Sequence, residues 1–275
     1  ALSLYLPPWG ACFCHPHAHI QVDECNAPEL FSGGAKLIAV DGANGKLDPE
    51  ALAAAIRGEG FVHSPQPSLL SISQASELGS VYTLAELAEL SAFAKRHRLA
   101  LHMDGARFAN AICALGVSPA DLSWRAGVDV LSFGATKNGC LAAEAIVLFD
   151  RARASELGFR RKRAGHLLSK LRFLSAQLEA YLLDDLWLSN ARHANAMAAR
   201  LGAGLSALGL PPLAAVEANE IFVAIPESTA QRLRAAQCLF YDWPDLGPAV
   251  RRLVTSFETT LEAVDAFIAA VSGSG

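Results

Sequence analysis

The chain has 275 residues, 52% of them hydrophobic and 18% charged, with a formal net charge of −4. That length and composition can bury a large core and predict two domains. They imply no broad basic surface for a nucleic-acid partner, and no apolar run is long enough to cross a bilayer. The opening ALSLYLPPWG lacks the basic start and cleavage motif of a secretory signal. The six scattered cysteines are expected to be buried thiols in a reducing cytoplasm.

Ala1 to Leu6 reads as the end of an amphipathic helix stopped by Pro7-Pro8, so a further segment is expected upstream. Ala11 to Cys14 reads as a short strand, Phe31 to Ala35 as a turn and Lys36 to Val40 as the next strand. Asp48-Pro49-Glu50 opens a helix, with the aspartate as cap and proline at the first helical position. Ser68 to Gln74 is expected as a strand that delivers polar side chains to a sheet edge. Thr83 caps a helix over Leu84 to His97, with Glu86 at the capping-box position. A strand over Leu99 to Met103 ends at Asp104, and a helix follows over Arg107 to Leu115. Pro119 is expected to open another helix before a strand that begins at Val128. From Phe159 onward helices dominate, and the alanine-rich Ala191 to Leu208 suits a connection between domains. Strand-like runs over Glu220 to Ile225 and Arg252 to Phe257, then a helix over Leu261 to Val271, predict a smaller α+β unit. The alternation before them predicts α/β with a mainly parallel sheet. The division is drawn as residues 1–185 and 186–275.

The stretch Val130 to Phe149 centres the reading. Two apolar runs, taken as buried strands, flank Gly134-Ala135-Thr136-Lys137-Asn138-Gly139. Lys137 thus stands on a rigid base with little bulk around it, the setting a desolvated Schiff-base amine requires. In open α/β sheets ligands sit at the carboxyl ends of strands. Asp104 and Lys137 therefore offer one ligand a carboxylate and an amine. Pyridoxal phosphate uses such a pair, the lysine for the Schiff base and the aspartate to keep the pyridine nitrogen protonated.

His102-Met103-Asp104-Gly105-Ala106-Arg107 resembles the HxDGAR motif of low-specificity L-threonine aldolases, within the β-eliminating lyase group. Ser132 to Gly139 resembles the Schiff-base segment of their Pseudomonas-like branch. Ala18-His19-Ile20, Arg161 to Phe173 and Arg252 to Phe257 extend the resemblance along the chain. It implies an aspartate-aminotransferase-like, fold-type I protein: a three-layer α/β/α large domain plus a smaller C-terminal α+β domain. It implies a homodimer or homotetramer that cleaves β-hydroxy-α-amino acids such as threonine, allo-threonine or phenylserine to glycine and an aldehyde.

Residue by residue, the resemblance makes Lys137 the Schiff-base lysine, with Thr136 beside it in the cofactor site, and Asp104 the partner of the pyridine nitrogen. His19 would stack on the cofactor ring and take part in proton transfer. Arg107 would lie near the cofactor's 3′-oxygen and the substrate carboxylate, and Arg252 would bind that carboxylate. Gln74 and Ser76 occupy the region where related aldolases place a polar or histidine side chain near the substrate hydroxyl. No histidine stands there, which leaves the general base open between His19 and a bound water. The basic run Arg160 to Arg163, with Lys170 and Arg172, could supply cations to a neighbour's cofactor phosphate or form a solvated face. The family's phosphate-cradling loop would precede Ala1, so the chain as written is expected to hold the cofactor poorly and to show little aldolase activity. The cluster Cys12, Cys14, His15, His17, His19, Asp23, Cys25 matches no common zinc spacing, and no metal is expected. Along an extended segment its three histidines would share a face. A β-eliminating lyase, an aminotransferase and a non-catalytic chain of the same fold are the competing readings.

Overall fold

A computed structural model describes residues 1–273. In chain order the elements are β1 (Gly10–Cys14), α1 (His19–Val22), α2 (Ala27–Ser32), β2 (Lys36–Ala39), α3 (Pro49–Ala55), β3 (Gln66–Ser73) and α4 (Leu84–Arg96). Then come β4 (Ala100–Gly105), α5 (Phe108–Leu115), β5 (Val130–Gly134), β6 (Glu144–Leu148), α6 (Ala154–Arg163), α7 (Arg172–Leu182) and α8 (Leu186–Ala207). Last are β7 (Glu220–Ala224), α9 (Glu227–Ala235), β8 (Tyr241–Asp242), β9 (Val250–Val254) and α10 (Leu261–Ser272).

The larger sheet has the order β2-β1-β3-β4-β5-β6. The pairs from β2 through β5 are parallel, and only β6 runs antiparallel, against β5. Alternation along each strand sorts side chains onto two faces. Phe13, Leu70, Ile72, Leu101, Met103 and Phe133 join a core with residues of α3, α4, α5, α7 and α8. On the other face Cys12, Leu37 and Leu69 pack against Leu2, Leu6 and Ile20. Helices thus cover both faces of the sheet, giving three layers.

The local stop signals work as expected. Asp48 accepts hydrogen bonds from the Glu50 and Ala51 amides at the start of α3. Thr83 and Glu86 form a reciprocal capping box on α4, worth about 1 kcal/mol by analogy with other caps.

A second sheet, β7-β9-β8, is antiparallel. Its core joins Ile221, Val223 and Leu253 to Leu233 of α9 and Val264 of α10. Helix α8 serves both cores: Trp187 and Ala191 belong to the first, Met197, Ala198, Leu201 and Leu205 to the second. It starts before the expected Ala191, because the preceding Asp184 and Asp185 both take left-handed backbone angles that end the earlier helical run.

Several expectations need correction. Pro119 opens no helix: left-handed Gly116 and Gly127 confine the segment, which forms turns and one short 3-10 helix at Trp124–Ala126. Leu2–Leu4 is a single 3-10 turn with its leucines buried. The strand β6 is not buried, since at the sheet edge it alternates between exposed and half-buried residues. Cys12 and Cys14 are buried, but Cys25 is exposed and Cys113, Cys140 and Cys238 are half-buried. Among the described residues no helix is long and apolar enough to cross a membrane.

The second face of the large sheet carries a polar line. Ser71 on β3, His102 on β4 and Ser132 on β5 are joined through the imidazole, with Nδ1 2.8 Å from the Ser71 hydroxyl and Nε2 2.9 Å from that of Ser132. A neutral ring satisfies both hydroxyls, donating to one and accepting from the other. Burial lowers the His102 pKa from 6.5 to about 3. Protonation therefore favours the unfolded chain. The stability carried by the neutral ring is whole above pH 6.5 and is lost as pH falls from there toward about 3, at up to about 1.4 kcal/mol per pH unit. Urea unfolding at about pH 7 and pH 5 should show a larger acid loss for the parent than for His102→Asn. A parent-to-variant difference that does not change with pH would reject this account.

Candidate active site

The parallel strands share one carboxyl edge. His15 follows β1 there, Gln74 to Glu77 follow β3, Asp104 stands near the end of β4, and Lys137 follows β5. The connection after β1 leads to β2 on one side and the connection after β3 leads to β4 on the other, so the crevice between β1 and β3 is a topological switch point, where ligands of open α/β sheets bind.

The loop that presents Lys137 is held from several sides. Residues Thr136–Asn138 form one 3-10 turn, and Gly139 follows at φ 129°. The Thr136 hydroxyl donates to the Ala143 carbonyl and accepts from the Ala143 amide, which closes the loop. The buried Asn138 amide donates to the Tyr181 hydroxyl at 2.7 Å and to the Trp187 carbonyl at 2.8 Å. Asn190 donates to the Asn138 carbonyl. Lys137 itself is exposed and forms no hydrogen bond or ion pair among the described residues. The expectation of a desolvated amine is corrected on this point: the loop stands at the open edge of the sheet, beside an edge strand.

Asp104 is half-buried and accepts the Ala106 amide on Oδ1 at 3.0 Å, while Oδ2 has no partner among the described residues. It lines a cleft of about 830 Å³ that also receives His102, Ser132, Glu24, Arg160, Arg161 and Arg163. In the basic run Arg160 pairs with Glu156, and the Arg161 Nε donates to the His166 carbonyl.

His19 begins α1, with Nδ1 2.7 Å from the Glu24 carboxylate and Nε2 3.8 Å from that of Asp23. The segment before it is not extended. It turns at Pro16-His17, where the Ala18 amide donates to the His15 carbonyl. His15 is buried against the Gly42 carbonyl with its ring 5.5 Å from that of His17. The three histidines therefore do not share a face. No group of three or more metal-binding side chains is found among the described residues.

The two arginines come together on a residue that the sequence reading overlooked. Arg252 lies within β9, not at its start, opposite Phe222 of β7. Glu220, two residues before Phe222, is the diagonal neighbour on the same face. Its side chain is fully buried. Arg252 donates to Glu220 Oε1 through Nε at 2.9 Å and also through a terminal nitrogen. Arg107, at the start of α5, reaches the same oxygen at 3.0 Å. Glu220 Oε2 and Arg107 Nε remain buried without hydrogen-bond partners among the described residues. The signal for Glu220 was a lone acid opening the apolar run Glu220 to Ile225.

Gln74 and Ser76 are occupied by structure. Gln74 exchanges hydrogen bonds with the Tyr82 backbone, and the Ser76 hydroxyl donates to the Asn44 carbonyl. The free polar group of this turn is Glu77, half-buried in a small cavity with His15, His17, Ser73 and Tyr82.

A family model described as beta-eliminating lyase matches residues 1–228. The low specificity L-threonine aldolase of Pseudomonas aeruginosa is 43% identical over 266 residues, covering 96% of this chain and 76% of that protein. A solved structure of Leishmania major threonine aldolase matches with TM-score 0.92 at 30% identity, covering 99% of this chain and 79% of the other. Thermus thermophilus aspartate aminotransferase matches with TM-score 0.65 at 16% identity, covering 100% of this chain and 76% of the other, a likeness of fold alone. The architecture is thus the aspartate-aminotransferase-like one of fold-type I pyridoxal phosphate enzymes. Within it, the chain belongs to the beta-eliminating lyase family, as its likeness to the threonine aldolases shows.

Removing one member of a buried charge cluster leaves the others uncompensated, at a cost of about 3–5 kcal/mol. Glu220→Ala should lower the urea unfolding free energy by about that amount, by stranding two guanidinium groups. A loss below about 1 kcal/mol would show that water reaches the cluster freely.

Proposed function

We propose that the chain cleaves β-hydroxy-α-amino acids such as L-threonine, L-allo-threonine or phenylserine to glycine and an aldehyde, with pyridoxal 5′-phosphate as cofactor. What supports this reading is that the charges of Lys137, Asp104 and Arg107 all reach Glu77, and that Arg107 and Arg252 meet on Glu220, in a chain 43% identical to a threonine aldolase.

The residues fit the cofactor. Among the described residues, Lys137 has a free amine on a braced loop, Asp104 has one carboxylate oxygen uncommitted, and Arg107 Nε is a buried donor without a partner. Lys137 would hold the aldehyde carbon, Asp104 would keep the proton on the pyridine nitrogen, and His19, oriented by Glu24, would lie on the ring. Thr136 closes the loop that presents Lys137, and this is its part in the cofactor site. Bound there, pyridoxal phosphate supplies an electron sink for the pair left on Cα when Cα–Cβ breaks.

Arg107 and Arg252 bring two positive charges and Glu220 one negative, which leaves one positive charge for the substrate carboxylate. Guanidinium suits this task because its fork fixes orientation as well as charge. A carboxylate held there sets which bond of Cα can be broken. The division into residues 1–185 and 186–275 assigns Lys137 and Asp104 to the large unit and Arg252 to the small one, so substrate would bridge both. Self-association as a dimer or tetramer agrees with the exposed Leu141, Phe159, Leu168, Phe173 and Leu183. The cytoplasm is the proposed location.

Borohydride treatment of the chain with pyridoxal phosphate should label Lys137, and Lys137→Ala should abolish both label and cleavage. A label on another lysine would sink the assignment. Arg252→Leu should raise KM for β-hydroxy amino acids at least tenfold and leave the absorption of bound cofactor in place. An unchanged KM would remove Arg252 from substrate binding.

A further inference from the structure

The turn after β3 is built to carry one carboxylate into the site. Ser73 pairs with Asp104 across β3 and β4, and the Gln74 amide donates to the Asp104 carbonyl at 2.8 Å. Three residues later the chain reaches Glu77. The turn is fastened on both sides. The Ser76 and Ser80 hydroxyls both donate to the Asn44 carbonyl, and the Gly79 amide donates to the Ser76 carbonyl. Gly79 has φ 78°, and a Cβ there would come within 3.2 Å of the Glu220 carbonyl, so the turn is seated on the small sheet beside the arginine cluster. Two residues on, the Val81 amide donates to Glu217 at 2.6 Å.

The side chains of Gln74, Ser76 and Ser80 are thus consumed in holding the turn, whereas the Glu77 carboxylate has no hydrogen bond or ion pair among the described residues. It lines the small cavity between the ends of β1 and β3 together with His15, His17, Ser73 and Tyr82. The charges acting on it are those of Asp104, Glu220, Arg107 and Lys137, all four in the candidate site. A half-buried acid that serves no structural contact, among the groups of a reaction centre, is placed for proton transfer.

We propose that Glu77 is the general base that takes the proton of the substrate's β-hydroxyl group. The assignment rests on the aldolase reading given above. The carboxylate accepts the hydroxyl proton. The O–H electron pair becomes the second bond of the aldehyde C=O, the Cα–Cβ bond breaks, and its pair stays on Cα, withdrawn by the protonated pyridoxal phosphate ring. Return of a proton to Cα completes glycine, and Glu77 is reset by losing its own. A base works best when its pKa lies near the working pH, and burial foremost, then Asp104 and Glu220, raise that of Glu77 above 4.5.

The test compares the parent with Glu77→Gln, both saturated with pyridoxal phosphate. Phenylserine cleavage should fall at least 100-fold in kcat with KM changed less than about threefold, within the range typical of general bases. The rise of kcat with pH on the acid side should vanish with it. Exchange of the glycine α-proton in deuterated water, which needs the cofactor and the arginines but no β-hydroxyl, should stay within about threefold and shows that the variant is folded. Without cofactor, carbon-13 NMR of glutamate-labelled chain should show one carboxyl, absent in Glu77→Gln, titrating above 4.5. Cleavage by Glu77→Gln within threefold of the parent, or a carboxyl titrating at or below the ordinary value, overturns the assignment alone. Absence of cleavage in a parent that still exchanges glycine overturns the aldolase reading and the assignment with it.

Discussion

A buried carboxylate with two guanidinium groups on one oxygen is the interaction around which the site is arranged. Arg107 comes from the start of a helix on the large sheet, and Arg252 from a strand of the small one. Like charges would not stay close in a low-dielectric interior without Glu220 between them. The negative charge of Glu220 brings the two arginines to one point, and the Glu77 turn rests on its backbone through the side-chain-free face of Gly79. Removal of that carboxylate would affect packing, charge and the placement of the Glu77 turn at once.

The large sheet treats its two faces differently. One meets helices through continuous apolar contact, and the other carries the Ser71–His102–Ser132 line and opens into the cleft beside Asp104. A polar line across adjacent parallel strands is tolerated because a neutral imidazole meets both hydroxyls and leaves neither unsatisfied. The same alternation that sends Met103 into the core turns His102 and Asp104 to the opposite side.

Rigidity at the carboxyl edge comes from side chains that do not react. Asn138 ties the lysine loop to α7 and α8, Thr136 closes it, and Gln74, Ser76 and Ser80 hold the Glu77 turn. Lys137 and Glu77, the groups proposed to do chemistry, have no hydrogen bond or ion pair among the described residues. Such a division of labour would hold the proposed reacting groups in fixed positions while their ionisable atoms stay free.

Much of this was legible in the sequence because it rests on local signals. Short apolar runs, the Asp48 and Thr83 caps and the alternation of elements pointed to a parallel α/β sheet, and the sets around Asp104 and Lys137 pointed to its carboxyl edge. Other features depend on which distant segments meet. The exposure of Lys137 follows from β6 being an edge strand. The turn at Pro16-His17 separates three histidines that a linear reading puts on one face. Glu220 looks like a stray acid in an apolar run until the register of β7 and β9 sets it diagonal to Arg252, and α5 brings Arg107 to it. Glu77 looks like one more turn residue beside Gln74 and Ser76 until their side chains are seen to be bonded elsewhere. The sequence by itself determined most of the element types, the family and the chemical inventory, because these are encoded in short patterns. Only the tertiary structure decided which polar groups are consumed by packing and which remain free, because that depends on long-range partners.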